Sequence, residues 1–253
     1  MRLPHPLYGL YERRLAASLP PEVIPRHIGV ILDGNRRWAR TVGLDRGTGH
    51  RRGADHIAEV LRWSEEIGVE VVTLWMLSTD NLSRSSEELT ELVGIITDAV
   101  GDLAACGRWR LQIVGALDLL PESAAHALRA AQERTAGVDG MHVNVAVGYG
   151  GRREIVDAVQ SLLREHAGTG TSLEELAETF SVEHIAEHLY TKGQPDPELV
   201  IRTSGEQRLG GFMLWQSVHS EFYFCEAYWP DFRRVDFLRA LRSYAPRERR
   251  LGR

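Results

Sequence analysis

Short apolar segments alternate along this chain with longer segments in which apolar positions recur at helical spacing. The apolar segments predict strands at 27–32, 69–77, 109–114, 141–147, 199–202 and 221–225. Their nearly continuous apolar character is typical of strands that are buried on both faces. The alternation of such strands with helices predicts an α/β fold with a mostly parallel sheet that helices cover on both faces.

The longer segments predict helices at about 49–67, 86–105, 122–135 and 232–244, and a further helix after the turn at 148–151. Residues 1–26 carry five of the ten prolines and predict an irregular N-terminal arm, with one or two helical turns at 7–19. The apolar spacing in this arm favours docking onto the protein's own body over a helix on a membrane surface. We therefore expect one main domain at 27–253.

Composition narrows the class of protein. A hydrophobic content of 43% with 26% charged residues is typical of a globular protein with a sizeable core. No apolar stretch approaches the ~20 residues that a membrane-spanning helix needs. Cys106 and Cys225 lack metal-ligand spacing and predict reduced thiols in a cytoplasmic protein. The net charge of −5 argues against a partnership with nucleic acid.

The positive charge is clustered in spite of the acidic balance. Six arginines lie within 33–53 against two aspartates, and five lie within 242–253 against one glutamate. Arg46 and His50 follow a loop with three glycines at 43–49 and would lie near the start of a predicted helix, where anions bind readily. The clustering predicts local anion sites on an acidic protein.

The heptad 32–38 directly follows the first predicted strand, at the sheet edge where α/β proteins bind ligands. Asp33 can hold a divalent metal, and Gly34 allows backbone N–H groups to approach an anion. Arg36 and Arg37 can each place a guanidinium fork on phosphate oxygens. This combination suits a metal-bound diphosphate. From the heptad alone, a polar strand-to-loop turn is the alternative.

Three further polar segments carry related chemistry. Segment 78–84 leaves the second strand at the same edge as Asp33, and segment 201–211 places Arg202 and Arg208 on a glycine-containing loop after another strand. Segment 220–224 sets Glu221 beside aromatic residues. Taken singly, these segments are also compatible with turns, helix caps and edge charges. The glycines at 148–151 do not match a dinucleotide fingerprint, and the chain contains no P-loop motif.

Together these ordered motifs resemble the cis-prenyltransferase (undecaprenyl diphosphate synthase-like) family over about 25–252, and most closely its short-chain (2Z,6E)-farnesyl diphosphate synthases. The motifs are HIGVILDGNRRW at 27–38, GH at 49–50, LSTDN at 77–81 with Arg84 and Glu88, YGGR at 149–152, LVIRTSGEQR at 199–208 and WPDF at 229–232. The resemblance implies a homodimer, a six-stranded sheet and a hydrophobic tunnel between the sheet and two helices. It also implies that isopentenyl diphosphate is joined to an allylic diphosphate with a new cis double bond, using Mg²⁺.

The resemblance also assigns roles to individual residues. The allylic diphosphate would be lined by Gly34, Asn35, Arg36, Arg37, Trp38, Arg46 and His50. Isopentenyl diphosphate would be held by Arg202, Arg208 and the backbone of Leu209 and Gly210. The residues bordering both substrates would be Ser78, Thr79, Asp80, Leu82 and Arg84. Mg²⁺ would be shared by Asp33 and Glu221, with Asp33 also counted as catalytic.

The reaction must also remove a proton from C2 of isopentenyl diphosphate, and the family pattern places Asn81 at that step. A neutral amide is a very poor base, so we expect Asn81 to orient the substrate and the departing diphosphate to accept the proton. The tail at 250–252 matches an Arg-x-Gly element that reaches a neighbouring subunit's diphosphate site, with a frayed charged tail as the alternative. Arg36, Leu82 and Gly210 depart from the family's usual glycine, tryptophan and serine.

Product length depends on where the tunnel is blocked. Met76 stands where long-chain relatives carry a small residue, and Val147 and Met141 are at least as bulky as their counterparts. We therefore expect a product near C15 made from geranyl diphosphate, although Met76 could also simply fill the core. The alternatives are a long-chain undecaprenyl- or decaprenyl-type synthase, a non-catalytic partner subunit and an unrelated phosphate-binding protein. A peripheral membrane contact is left open.

Overall fold

The computed structural model describes residues 6–245, and its centre is one sheet of six parallel strands. The strands are β1 (His27–Ile31), β2 (Val71–Ser78), β3 (Arg110–Val114), β4 (His142–Tyr149), β5 (Leu199–Arg202) and β6 (Glu221–Phe224). They lie in the order β3-β4-β2-β1-β5-β6, and every neighbouring pair is parallel. The predicted α/β class and the six-stranded sheet are confirmed.

Helices flank this sheet. They are α1 (Pro6–Ala17), α2 (Asn35–Thr41), α3 (Arg46–Glu66), α4 (Ser86–Cys106), α5 (Glu122–Thr135), α6 (Gly151–Thr169), α7 (Leu173–Thr179), α8 (Val182–Ala186) and α9 (Arg234–Tyr244). Helix α2 was not predicted. Helix α3 begins at Arg46, so the second half of the predicted loop at 43–49 is in fact helical. Within residues 6–245, no helix has both the length and the apolar character needed to cross a bilayer.

The hydrophobic core has two unequal parts. The large part lies between one face of the sheet and helices α3, α4, α5 and α9, with Leu61, Val100 and Phe237 among its fully buried side chains. On the opposite face, Phe212 and Met213 from the segment after β5 pack onto the strands. Both faces of the central strands are therefore covered, which explains their continuous apolar sequence.

The N-terminal helix docks onto the body of the protein. Helix α1 packs against α9, and Leu15 is buried in the large core. The guanidinium of Arg239 lies 5.6 Å from the centre of the Tyr11 ring. This is the docking that the sequence favoured, although the helix is longer than one or two turns. The predicted Arg-x-Gly element at 250–252 lies outside the described residues.

His27 begins β1 and is completely buried. Its Nδ1 lies 2.7 Å from the carbonyl oxygen of Pro195, which can only accept, so Nδ1 carries the proton. Its Nε2 then accepts from the hydroxyl of Thr73 at 2.8 Å. Burial lowers the pKa of His27 to about 4, so the ring is neutral in the folded protein near pH 7.

Acid should therefore destabilise the fold in a way that depends on His27. Because the unfolded chain binds a proton near pH 6.5 and the folded chain only near pH 4, the free energy of unfolding should fall by about 3 kcal/mol as the pH drops through that window. Denaturant titrations at several pH values would measure this loss. His27→Gln should remove it, and the exposed control His126→Gln should retain it. An unchanged acid dependence in His27→Gln would contradict the assignment.

Candidate active site

The carboxyl ends of β1, β2 and β5 meet at one cavity of about 650 Å³. Fourteen of the sequence-predicted residues line it: Asp33, Gly34, Asn35, Arg36, Arg37, His50, Met76, Ser78, Asp80, Asn81, Arg84, Arg202, Arg208 and Gly210. The structure thus brings together side chains from distant parts of the chain at the edge of the sheet where ligands bind in α/β proteins.

Asp33 lies at the centre of the cavity wall, just past the end of β1. Its backbone N–H donates to the hydroxyl of buried Thr203 at 2.9 Å, and its carbonyl oxygen accepts from the N–H of Trp229 at 3.0 Å. Its carboxylate lies 2.8 Å from Nη2 of Arg202 and 3.3 Å from Nη2 of Arg37. Burial raises the pKa of Asp33, but the two guanidiniums outweigh it and hold the pKa below its usual value. Asp33 is therefore ionised.

The two arginines beside Asp33 come from different elements, α2 for Arg37 and β5 for Arg202. Arg202 has a buried side chain, and its Nη1 donates to the carbonyl oxygen of Arg208, which holds the following loop over the cavity. Arg37 lies on α2 and donates to Glu206 at 3.1 Å and to Ser204 at 2.7 Å. Asp33 therefore stands between two guanidiniums that the same loop after β5 helps to hold.

A close approach of α2 to α3 shapes one side of the cavity. Gly34 precedes α2 with φ +106°, and a Cβ there would lie 2.7 Å from the ring of Tyr228. A Cβ at Gly49 would lie 2.5 Å from the carbonyl oxygen of Asn35, and one at Gly53 would lie 2.2 Å from the Asn35 side chain. Glycine fits these positions because a Cβ would collide with backbone at Gly49 and with packed side chains at Gly34 and Gly53.

Glu88 links three arginines at the same side of the cavity. Glu88 is itself buried in the first turn of α4, and its carboxylate lies 3.4 Å from Arg36, 3.1 Å from Arg46 and 3.0 Å from Arg84. One negative charge thus holds three positive charges, which leaves an excess of positive charge for an anion. Arg46 does not line the cavity itself, but it contacts Glu88, which also contacts the lining residues Arg36 and Arg84.

His50 lies in the first turns of α3 beside this arginine group. Its Nε2 is buried without a hydrogen-bond partner among the described residues. Burial, reinforced by the charges of Arg84 and Arg36, lowers the pKa of His50 to about 4. The ring is therefore neutral near pH 7 and can hydrogen-bond to an incoming ligand.

The loop after β2 orients Asn81. The hydroxyl of Ser78 accepts from the backbone N–H of Asn81 at 3.1 Å, in a short 3₁₀ turn at Thr79–Ser83. Nη2 of Arg84 donates to the amide oxygen of Asn81 at 2.8 Å. Because that oxygen is already engaged, the NH₂ group is the part of Asn81 that can donate to a ligand.

Several predicted residues do not line the cavity: Trp38, Arg46, Thr79, Leu82, Leu209, Met141, Val147 and Glu221. Thr79 and Leu209 directly adjoin residues that do. Leu82 is half-buried and packs against the large core. Nε1 of Trp38 is buried without a partner within the described part of the chain.

Glu221 is not near Asp33 in the same chain. Glu221 pairs with Leu199, which pairs with Ile28 at the amino end of β1. Asp33 follows Ile28 by five residues, which corresponds to roughly 15 Å along the strands. The two carboxylates therefore lie towards opposite ends of the sheet in one chain, and the shared metal stays a prediction that needs Glu221 of a second copy.

The predicted floor residues are also separated. Met76 lines both the main cavity and an adjoining apolar pocket of about 30 Å³ under α3 and α4. Met141 lies just before β4, where its carbonyl oxygen accepts from the N–H of Arg110 at the opposite end of the sheet. Val147 is buried in the large core opposite Leu77. Neither Met141 nor Val147 contributes to the lining of these two spaces.

Sequence reasoning missed some lining residues. Trp75, Arg40, Glu206 and Leu92 all border the cavity. Glu206 lies inside the recognised segment 199–208 and could have been found there. Trp75 directly precedes Met76 on β2 but packs with the smaller core, on the other face of the sheet.

Asp33 could hold a metal only in a site shared with a ligand. Among the described residues, no three His, Cys, Asp or Glu side chains are arranged to bind a metal ion. Mg²⁺ commonly takes one or two protein carboxylates and completes its shell with water and substrate phosphates. The ionised Asp33 at the cavity wall fits that kind of shared site, in which phosphate oxygens supply most of the ligands.

Comparison with known proteins identifies the family of this chain. A family model described as "Putative undecaprenyl diphosphate synthase" matches residues 31–252. The (2Z,6E)-farnesyl diphosphate synthase of Thermobifida fusca is 62% identical over 98% of this chain and 97% of that protein. The short-chain Z-isoprenyl diphosphate synthase of Mycobacterium leprae is 57% identical over 99% of this chain and 97% of that protein.

A solved structure also matches. The lavandulyl diphosphate synthase of Lavandula x intermedia, crystallised with dimethylallyl diphosphate, has a TM-score of 0.84 and 33% identity, covering 92% of this chain and 100% of that one. On the family model, the relatives and this structure together, the chain belongs to the cis-prenyltransferase family.

Proposed function

We propose that this protein condenses isopentenyl diphosphate with an allylic diphosphate, geranyl diphosphate in particular, to form a Z-isoprenyl diphosphate near C15. The observation that carries the proposal is the position of Asp33 between Arg37 and Arg202, at the junction of two arginine-lined halves of one cavity. Such a site suits two diphosphates whose hydrocarbon ends must meet. The names of the curated relatives support the same reaction and product size.

The two halves differ in their residues. The half beside α2 and α3 offers Arg36, Arg37, the neutral ring of His50 and the amide of Asn35, and it opens into the apolar pocket. We assign the allylic diphosphate to it because the growing chain needs that apolar space. The half beside β5 offers Arg202, Arg208 and the backbone of Gly210, and we assign isopentenyl diphosphate to it.

The chemistry follows from this placement. C4 of isopentenyl diphosphate bonds to C1 of the allylic substrate while the allylic C1–O bond breaks, and the electron pair of that bond leaves with the diphosphate. Guanidiniums aimed at the leaving oxygens stabilise the growing negative charge. The proton on C2 then departs to the released diphosphate, while the NH₂ group of Asn81 orients the reactants.

Cis-prenyltransferases generally use Mg²⁺. In this chain Asp33 would hold the ion together with diphosphate oxygens, and when bound it would neutralise part of the charge on the leaving group. Glu221 could contribute to that site only from another subunit, since its own chain places it at the far end of the sheet. The homodimer, the peripheral membrane contact and the cytoplasmic location stay predictions.

A short product is favoured by the small apolar space beyond the diphosphates. The adjoining pocket of about 30 Å³ is lined by Ile57, Met76, Leu92 and Ile96, among others. This leaves little room for chain growth without movement of these side chains. A long-chain synthase would require a much longer apolar space, and the long tunnel implied by the resemblance stays a prediction.

Incubation with radiolabelled isopentenyl diphosphate and each allylic primer in turn tests the proposal. With Mg²⁺ present, geranyl diphosphate should give a product of C15. Addition of EDTA should lower the rate about 100-fold or more, because several kcal/mol of transition-state stabilisation are lost with the ion. Excess Mg²⁺ should restore activity, which controls for damage by the chelator. No incorporation with any primer would refute the function, and products of C50 or more would support the long-chain alternative.

A further inference from the structure

Trp75 and Met76 are neighbours on β2, and both line the cavity. They pack in different cores, so they approach the cavity from different sides of the sheet. Met76 packs against the large core under α3 and α4. Trp75 packs against the smaller core around Phe212. One strand end therefore contributes a wall to each half of the site.

The indole of Trp75 is held rigidly. It stacks on Phe212 with ring centres 5.2 Å apart and an angle of 19° between the planes, and it meets Tyr149 edge-on at 6.3 Å. Its Nε1 donates to the backbone oxygen of Tyr149 at 3.3 Å. Phe212 is fully buried, and a Cβ at Gly29 would lie only 2.8 Å from its ring. The indole therefore lies against a ring that is itself closely packed.

Trp75 forms one corner of the cavity with Arg202 and Gly210. A Cβ built on Gly210 would lie 3.3 Å from Nη1 of Arg202 and 3.4 Å from Cζ3 of Trp75. Gly210 also has φ +67°, a conformation that other residues rarely adopt. A Cβ at position 210 would therefore touch both the guanidinium and the indole, and the positive φ favours glycine there.

We propose that Trp75 is the apolar wall of the isopentenyl subsite and restricts it to a five-carbon chain. The inference rests on the proposed function, which places isopentenyl diphosphate on Arg202 and Arg208. From there its hydrocarbon must pass the indole to reach the allylic carbon. Met76 would limit the length of the product, whereas Trp75 would select the unit that is added. Two adjacent residues would thus govern two separate specificities.

The test compares isopentenyl diphosphate with 3-ethylbut-3-enyl diphosphate, which carries one more methylene at the branch. The wild-type enzyme should prefer isopentenyl diphosphate by 10-fold or more in kcat/KM, as one methylene in a fitted pocket allows. Trp75→Leu should reduce that preference about 10-fold. The same variant should raise the KM for isopentenyl diphosphate but leave the KM for geranyl diphosphate and the number of added units within two-fold of wild type.

Met76→Ala is the matched control, because it enlarges the other side of the same strand end. It should change the number of added units. Its preference for the five-carbon over the six-carbon substrate should stay within two-fold of the wild-type value. Trp75→Phe keeps a smaller ring against Phe212 and should give a substrate preference between those of wild type and Trp75→Leu. It serves as the test if Trp75→Leu does not fold.

Three results would overturn the role of Trp75. They are equal use of both substrates by the wild-type enzyme, an unchanged preference in a folded Trp75 variant, and a change of preference in Met76→Ala as large as that in the Trp75 variants. The first needs no variant at all. A wild-type protein that does not turn over isopentenyl diphosphate would instead refute the proposed function itself, so the two failures are distinguishable.

Discussion

Replacing Asp33 with alanine should lower kcat for isopentenyl incorporation by about 1,000-fold. The carboxylate lies between Arg37 and Arg202 and is the group that would hold Mg²⁺ against the diphosphates. Its loss removes the shared metal site and one ion-pair partner of each guanidinium. Removal of one preorganised electrostatic group alone costs about 10²–10³ in kcat, and the ion adds to that loss. Steady-state assays at saturating substrate would measure the effect.

Two controls separate charge from folding. Asp33→Asn keeps the size of the side chain, so a similar loss in this variant assigns the effect to the negative charge. Asp139→Ala removes an exposed carboxylate far along the chain and should retain full activity. Asp33→Ala should also lower the free energy of unfolding by a few kcal/mol, because the buried Arg202 loses its ion-pair partner. The assays should therefore be run at temperatures where circular dichroism shows that the variant is folded. Activity within 10-fold of wild type would contradict the site.

Replacing Met76 with alanine should shift the main product from about C15 to C20 and longer. Met76 lines both the main cavity and the apolar pocket that adjoins it, so its truncation joins the two spaces. The vacated volume extends towards Leu92 and Ile96, along the direction in which the allylic chain must grow. Chromatographic sizing of radiolabelled products from geranyl and farnesyl primers would measure the shift.

Met141→Ala provides the matched control for product length. Both substitutions truncate a methionine that is at least partly buried, but Met141 lies at the other end of the sheet and touches neither space. It should leave the product distribution unchanged while lowering stability by about 2–5 kcal/mol. Identical product lengths in Met76→Ala and wild type would show that Met76 is not the floor. A longer product in Met141→Ala would show that the floor lies deeper.

The strands and most helices were predictable because their signals are local. Strand β5 and helix α5 have the predicted bounds, since a dense apolar run and a sustained helical period each specify an element without distant contacts. Helix α2 was missed because Ala39 is its only buried residue, so it has no apolar period. It forms where Gly49 and Gly53 of α3 leave room for the backbone and side chain of Asn35.

The residue types of the site could be predicted from the sequence, but the contacts between them could not. Polar segments after parallel strands had to meet at one edge, so the sequence placed Asp33 and Arg202 on the same side. Their contact, between residues 169 apart, depends on β1 and β5 being neighbours in the sheet. The same register keeps Glu221 far from Asp33, because Glu221 lies at the start of β6, level with the start of β1, whereas Asp33 follows the end of β1. No local pattern contains that information.

The amino-acid sequence by itself determined the α/β class, the polar chemistry at the strand ends and the family to which the motifs point. These follow from periodicity and residue type, which act over a few positions. The tertiary structure alone decided that Glu88 gathers three arginines, that Trp75 and Met76 wall different halves of the cavity, and that Met141 lies far from it. Such relations depend on strand order and register, which are set by packing across the whole chain.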